Sequence, residues 1–403
     1  MGRNGEHFFS RTSRKEEGRL LLLPEAESCR RLDRVRSAML SAGIRAGLVS
    51  GNASKFYLTG RVFVGWILVT QDSVTYYVRR PVELEGDNVV YVRKPEEIDF
   101  GCLADGELGL ELDCATYSSI ERLSAAAGIK VPGDLSKVLR KARSVKTDME
   151  IEMIERSGKM QEGVYRRIPG LYAAGMSDIE FQIEIEHLSR LSGCLGQFRI
   201  AGDSMELFMG NVLAGDNADS PTPYDFAMGG AGVDPSLPVG ADGTVIAGGM
   251  TVMVDVNGNY TGYMTDMTRV YRVGSIDSLA EKAHRCSMDI LRALEKSGVP
   301  GAKASEMYEE AESIVKERGL HAYFMGHRQH AGFIGHGVGI EINEAPVIAP
   351  RSRDVLEVGN VIAIEPKFVI PGTGAVGVEN TYVVTCDGLR CLTNLPEEIT
   401  ELL

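Results

Sequence analysis

Apolar residues recur at Leu32, Val35, Met39 and Leu40 within residues 25–42, the spacing of one face of an amphipathic helix. Short β-branched and aromatic runs follow: AGLVS (46–50), WILVT (66–70), VTYYV (74–78), NVVYV (88–92) and ELGLEL (107–112). Each is bounded by polar residues and predicts a strand. Strands and helices alternate up to residue 140 or so, which predicts a small α/β domain. Beyond it, Thr147 with Glu150, Ser177 with Glu180 and Ser278 with Glu281 each set a hydroxyl three residues ahead of a glutamate, the capping-box sign of a helix start. Helices are expected over 178–192, 279–296 and 304–318, the last ending at Gly319. Strand-rich, glycine-punctuated stretches fill the rest. The expected division is a polar tail over 1–22, a first domain over 23–142 and a second over 143–403.

Composition narrows the class. The chain has 403 residues, 44% hydrophobic and 25% charged, enough for two domains with real cores. The net charge of -13 argues against nucleic acid or an anionic membrane as partner. Seven cysteines are scattered with no Cys-x-x-Cys pair, so reduced thiols and a cytoplasmic setting are expected. The leucine run after the polar N-terminus is too short for a signal core or a membrane span.

The chemistry is concentrated in three segments, VMVDVNGNYTGYMTDMTRVY, FIGHGVGIEINEAP and VIAIEPKFVIPGTGAVGVENTYVV. Asp255 is embedded in an apolar run, where a carboxylate needs a cation or donors to offset its burial. Asp266 follows eleven residues later across turn-forming NGNYTGY, placing the two aspartates on adjacent antiparallel strands. Glycines flank His336 and would let its backbone pass close to a ligand. Glu365 and Glu379 interrupt apolar strands, where an unpaired glutamate is rare. Taken together, four carboxylates and one imidazole are a hard donor set, able to hold two divalent cations about 3.5–4 Å apart and activate a water.

The motifs DVNGNYTGYMTDMTRVY, GHGVG, AIEP and GVENTYVVT resemble those of the dinuclear pita-bread metallopeptidases, a family that includes methionine aminopeptidase, aminopeptidase P, prolidase and creatinase. The likeness spans residues 25–400, with NASKFYLTG (52–60) and LRKARSVKTDMEIEMI (139–154) resembling the prolidase and creatinase branch. It implies an α+β fold: a C-terminal pita-bread domain preceded by a smaller creatinase-type α/β domain. It also implies two metal ions, with Asp255 on one, His336 and Glu365 on the other, and Asp266 and Glu379 bridging. The bridging water would be the nucleophile and Glu365 the proton shuttle. Manganese suits the carboxylate-rich shell best, with cobalt, iron and zinc as alternatives. A homodimer is the expected assembly.

Two histidines usual in the family's peptidases are missing. Residues 233–240 read VDPSLPVG, with no histidine between His187 and His284, and Asn343 stands where the second would follow His336. Gly377 replaces a frequent arginine, and Asn380 a usual aspartate, beside Glu379. Arg269 is retained and expected to pair with acids. Asn343, His330 and Tyr224 are the candidate substrate contacts, with Asp225 and Asp234 as further polar groups of the 215–243 loop. The first expectation is a hydrolase of Xaa-Pro dipeptidase or aminopeptidase P type acting on short peptides. The loss of both histidines leaves open a creatinase-like C–N hydrolase or lyase of a small polar metabolite, and a metal-binding protein without catalysis.

Overall fold

Alternating apolar strands and amphipathic helices assemble as two compact units, Met1–Arg143 and Ser144–Leu403, in a computed structural model that describes residues 18–200, 209–224 and 226–402. Residues 1–17 of the expected tail, and Asp225, lie outside the described residues. Residues 18–22 are not tail-like. Leu20 N–H donates to the Glu85 carbonyl and Leu22 N–H to that of Thr59, and the Leu20 side chain is buried. The leucine run is short, but it has a core to enter.

In the first unit, α1 (Glu25–Ser41) buries Leu32, Val35 and Met39. Leu40 was expected on that face and is instead 71% exposed, because one helical step from Met39 turns it about 100° off the stripe. The sheet is mixed: β1 (Ala46–Val49), β2 (Val64–Thr70), β3 (Val74–Arg80), β4 (Val89–Tyr91), β5 (Leu108–Leu110) and β6 (Gly133–Asp134) lie in the order β4, β3, β2, β1, β5, β6. The segment NASKFYLT forms an unexpected helix, α2 (Asn52–Thr59), closed by Gly60 at φ 74°. Helices α3 (Tyr117–Ala126) and α4 (Leu135–Ser144) follow.

The second unit opens with α5 (Asp148–Tyr165) and α6 (Asp178–Leu191), whose capping boxes at Thr147/Glu150 and Ser177/Glu180 are both formed. The third expected box is absent. Asp277 caps α7 (Ser278–Ser297) by accepting from Leu279 N–H, which leaves Ser278 inside the helix. Helix α8 spans Ala304–Glu317. Around them run β7 (Gly210–Ala214), β8 (Thr251–Val256), β9 (Gly258–Asn259), β10 (Met264–Thr265), β11 (Thr268–Arg272), β12 (Gly335–Gly337), β13 (Glu344–Ile348), β14 (Val361–Ile364), β15 (Lys367–Ile370), β16 (Gly374–Gly377), β17 (Asn380–Thr385), β18 (Gly388–Cys391) and β19 (Thr400–Glu401). One sheet has the order β19, β11, β8, β7 and another β13, β12, β14, β17, β18. Strand β8 is buried on both faces: Val252, Val254 and Val256 enter one core with Phe181 and Ile185, while Met253 enters another with Phe368 and Tyr382. The two-residue period therefore puts Asp255 on the Met253 side.

Candidate metal centre

Asp255 lies in β8 opposite Thr268 of β11, and Thr268 also bridges to Glu379. This cross-strand step joins residues more than a hundred positions apart. Asp266 sits between β10 and β11, just outside a strand, and Thr381 clamps it by accepting from its N–H and donating to its carbonyl. Behind the pair, Tyr165 hydroxyl donates to the Met267 carbonyl and accepts from Val256 N–H, which fixes both ends of the connection. His336 in β12 pairs with Ala363 of β14, and Glu365 N–H donates to the Ile334 carbonyl. The flanking glycines serve sheet packing: a Cβ at Gly335 would lie 2.4 Å from the Ala363 carbonyl oxygen, and one at Gly337 2.3 Å from that of Ala345.

The five side chains converge. Oxygens of Asp266 and Glu379 and a ring nitrogen of His336 lie within 4.8 Å of one another, as do oxygens of Asp255, Glu365 and Glu379. His336 Nδ1–H donates to the Gly337 carbonyl, leaving Nε2 to face Glu365 Oε1 at 3.3 Å and Asp266 Oδ2 at 3.9 Å. Thr268 hydroxyl donates to Glu379 Oε2 at 2.7 Å, whereas Glu379 Oε1 is buried with no hydrogen-bond partner among the described residues. A buried, unsatisfied carboxylate oxygen beside an imidazole and other acids fits a divalent cation.

A sixth residue occupies the cluster. Lys367 Nζ donates to Glu365 Oε2 at 2.7 Å, Asp255 Oδ2 at 2.8 Å and Glu379 Oε2 at 3.2 Å, and its side chain is fully buried. The sequence held the signal. Lys367 is two residues from Glu365 in an apolar strand, and a buried lysine is as demanding of partners as a buried glutamate.

The electrostatics show acid in excess. Burial, and then repulsion by Glu365 and Asp255, push Glu379 up to about 8 against the pull of Lys367 and His336. Burial followed by Glu379, Asp255 and Glu365 lifts Asp266 well above the carboxylate range. Burial would also lift Glu365, but the Lys367 ammonium and the His336 ring outweigh it and hold it at about 2. Burial opposes charge on His336 and Lys367, yet the surrounding carboxylates raise both.

Arg269, expected to pair with acids, instead donates to the carbonyls of Thr268, Glu379, Leu395 and Pro396 and to Asn380 Oδ1. It holds the backbone of Glu379 in place, and Asn380 supplies the amide oxygen where an aspartate is usual. Tyr224 and His330 are brought together in one small cavity with Ser220, Thr222 and Gln329. Gln329 and Thr222 exchange hydrogen bonds there, and His330 Nδ1 is bound to the Phe324 carbonyl. The loop is tied to the cluster by Met325 N–H donating to the Lys367 carbonyl. Asn343 is half-buried between β12 and β13 and does not line that cavity. Asp234 is used locally, accepting from Ser236 N–H.

A cluster of acids and an imidazole able to hold divalent metal, on a two-unit α+β scaffold, is the arrangement of a metal-dependent hydrolase. The chain belongs to metallopeptidase family M24, whose model matches residues 152–386, and residues 31–145 match the Creatinase/Prolidase N-terminal domain. An Xaa-Pro dipeptidase of Pyrococcus horikoshii is 28% identical over 364 residues, 88% of this chain and 94% of that protein. One from Pyrococcus furiosus is 28% identical over 381 residues, covering 92% and 99%. The crystal structure of the prolidase from Pyrococcus horikoshii OT3 matches with a TM-score of 0.75 at 26% identity, over 92% of this chain and 99% of that one. The resemblance read from the motifs is thus the family the chain belongs to, with its pita-bread fold. The family implies divalent metal ions.

Proposed function

We propose that this enzyme hydrolyses short peptides of Xaa-Pro type, with manganese as its preferred metal. The observation that carries the reading is the convergence of Asp255, Asp266, His336, Glu365 and Glu379 on one buried cluster, in a chain aligned over most of its length with proteins named Xaa-Pro dipeptidase. Oxygen donors outnumber the single imidazole four to one, which favours manganese over zinc. A bound divalent ion supplies Lewis-acid polarisation of the scissile carbonyl and a lowered water pKa. The protein's part is positional. Asp255, Asp266, His336, Glu365 and Glu379 would hold two such ions, and Glu365 would take the proton of the attacking water and return it to the leaving amine. Tyr224 and His330 would contact the substrate from their cavity, and Asn343 from the β12–β13 connection. The test is turnover of a panel of Xaa-Pro dipeptides by manganese-loaded protein. Hydrolysis of at least one, lost in Glu365→Ala, is expected; no turnover with metal bound would sink the reading.

One observation favours a second reading, a C–N hydrolase or lyase of a small polar metabolite. Asn343 can donate a hydrogen bond but cannot become cationic, and residues 233–240 hold no histidine. Turnover in a metabolite screen by protein inert to dipeptides would select it.

The proposal extends to a homodimer, supported by the family resemblance and checked by light scattering. It extends also to cytoplasmic residence, supported by seven scattered cysteines with no Cys-x-x-Cys pair and checked by fractionation. No helix among the described residues is long and apolar enough to cross a membrane.

A further inference from the structure

Two metal-capable groups share Glu379, and one of them already holds a cation. The Lys367 ammonium touches one oxygen from each of Asp255, Glu365 and Glu379, the three acids of that group. Three N–H donors meet three carboxylate oxygens, so the ammonium is satisfied there. The backbone is shaped to admit it. Lys367 pairs across β15 and β16 with Gly377, at φ 146°. A Cβ at 377 would lie 2.7 Å from the Pro366 carbonyl oxygen, 2.9 Å from Lys367 Cα and 3.2 Å from Lys367 Cγ. Only hydrogen fits beside the lysine stem. The other group keeps donors that the ammonium does not touch: His336 Nε2, Asp266 Oδ2 and the unpartnered Glu379 Oε1, with Glu365 Oε1 facing the imidazole from the first group at 3.3 Å.

We propose that Lys367 is a built-in cation that takes the place of one of two metal ions, so that the centre binds a single divalent ion through Asp266, His336, Glu365 and Glu379. The inference rests on the reading of the cluster as a metal site. Formal charge supports it. Leaving bound solvent out of every count, four carboxylates with two divalent ions sum to zero, with one divalent ion and an ammonium to minus one, and with two divalent ions and an ammonium to plus one. Adding a second ion beside the ammonium would instead leave buried positive charge. Asp255 becomes an acceptor for the ammonium and leaves the set of metal ligands.

Metal count tests this apart from activity. Full-length protein stripped with a chelator and reloaded with Mn2+ should hold one ion per chain by elemental analysis, with the paramagnetic resonance of an isolated ion. Lys367→Met, similar in length and without charge, should hold two and show a spin-coupled pair. Two ions in the wild type would overturn the proposal and leave the metal site standing. A single ion in Lys367→Met would overturn it as well, and no ion in either protein would overturn both readings. Should Lys367→Met fail to fold, Asp255→Asn answers instead. It should keep the ion with affinity within about threefold of wild type, while His336→Ala loses it; loss in Asp255→Asn would refute the assignment.

Discussion

Lys146 and Lys367 are both buried in the second unit, and both lie beside a glycine whose missing side chain makes room for them. Lys146 Nζ donates to Glu344 Oε2 at 2.9 Å and to the Ser144 carbonyl at 3.3 Å, and a Cβ at Gly339 would come within 3.0 Å of Lys146 Cε. Lys367 meets three carboxylates in a cluster that also contains Asp266. At the first site one ammonium meets one carboxylate, whereas at the second one ammonium stands among four acids. The first is a structural ion pair. The second is a cation trap only partly filled by the protein's own cation. What separates them is the number of acids around each ammonium, since both lysine side chains are buried.

Breaking each site should expose this difference. The largest effect is on chemistry: Glu365→Ala should lower peptide turnover by on the order of 10²–10³-fold or more, the scale of one lost electrostatic stabiliser, whereas Lys146→Met should leave kcat near wild type. Stability separates the lysines next. Each single Lys→Met change leaves buried carboxylate uncompensated and should cost about 3–5 kcal/mol by denaturant unfolding of metal-free protein. Mn2+ should restore Lys367→Met and leave Lys146→Met unrepaired; equal rescue of both would erase the distinction. The glycines follow. Gly377→Ala meets backbone at a positive φ and should cost about 1–3 kcal/mol, while at Gly339 the nearest atoms are the Glu344 Oε2 and carboxyl carbon and Lys146 Cε, all on flexible side chains, so the loss should stay below about 1 kcal/mol.

The smallest effect concerns His284, buried away from the metal cluster, whose Nε2–H donates to the Glu397 carbonyl. Burial depresses its pKa, aided by Arg269 and opposed by the carbonyl and by Glu397 and Glu398. The folded state therefore binds fewer protons than the unfolded chain below an ordinary histidine pKa of about 6.5. Stability is complete above that pH and declines as pH falls toward the folded value. His284→Gln should flatten this acid-side decline in melting temperature by an amount worth less than about 1 kcal/mol.

Much of this could be read along the chain. The helices of the second unit were legible from hydroxyl–glutamate pairs, because a cap is a local interaction between residues three apart. Ser278 failed because Asp277, a competing cap one residue earlier, won the contact. Helix α2 was missed because its eight residues are too few to show a period. Asp255, Glu365 and Glu379 stood out as candidate ligands because acids within apolar runs are anomalous wherever those runs go. Lys367 was equally anomalous, but its meaning depended on what it would face.

By itself the sequence determined the family, and it singled out the candidate donor set, since these rest on residue identity and short-range order. Tertiary structure alone decided which acids share a neighbour. The pairing of β8 with β11 and of β15 with β16 delivers an ammonium among three carboxylates and a glycine under its stem. Charge balance is a property of three-dimensional proximity, falling off with distance through space and blind to separation along the chain.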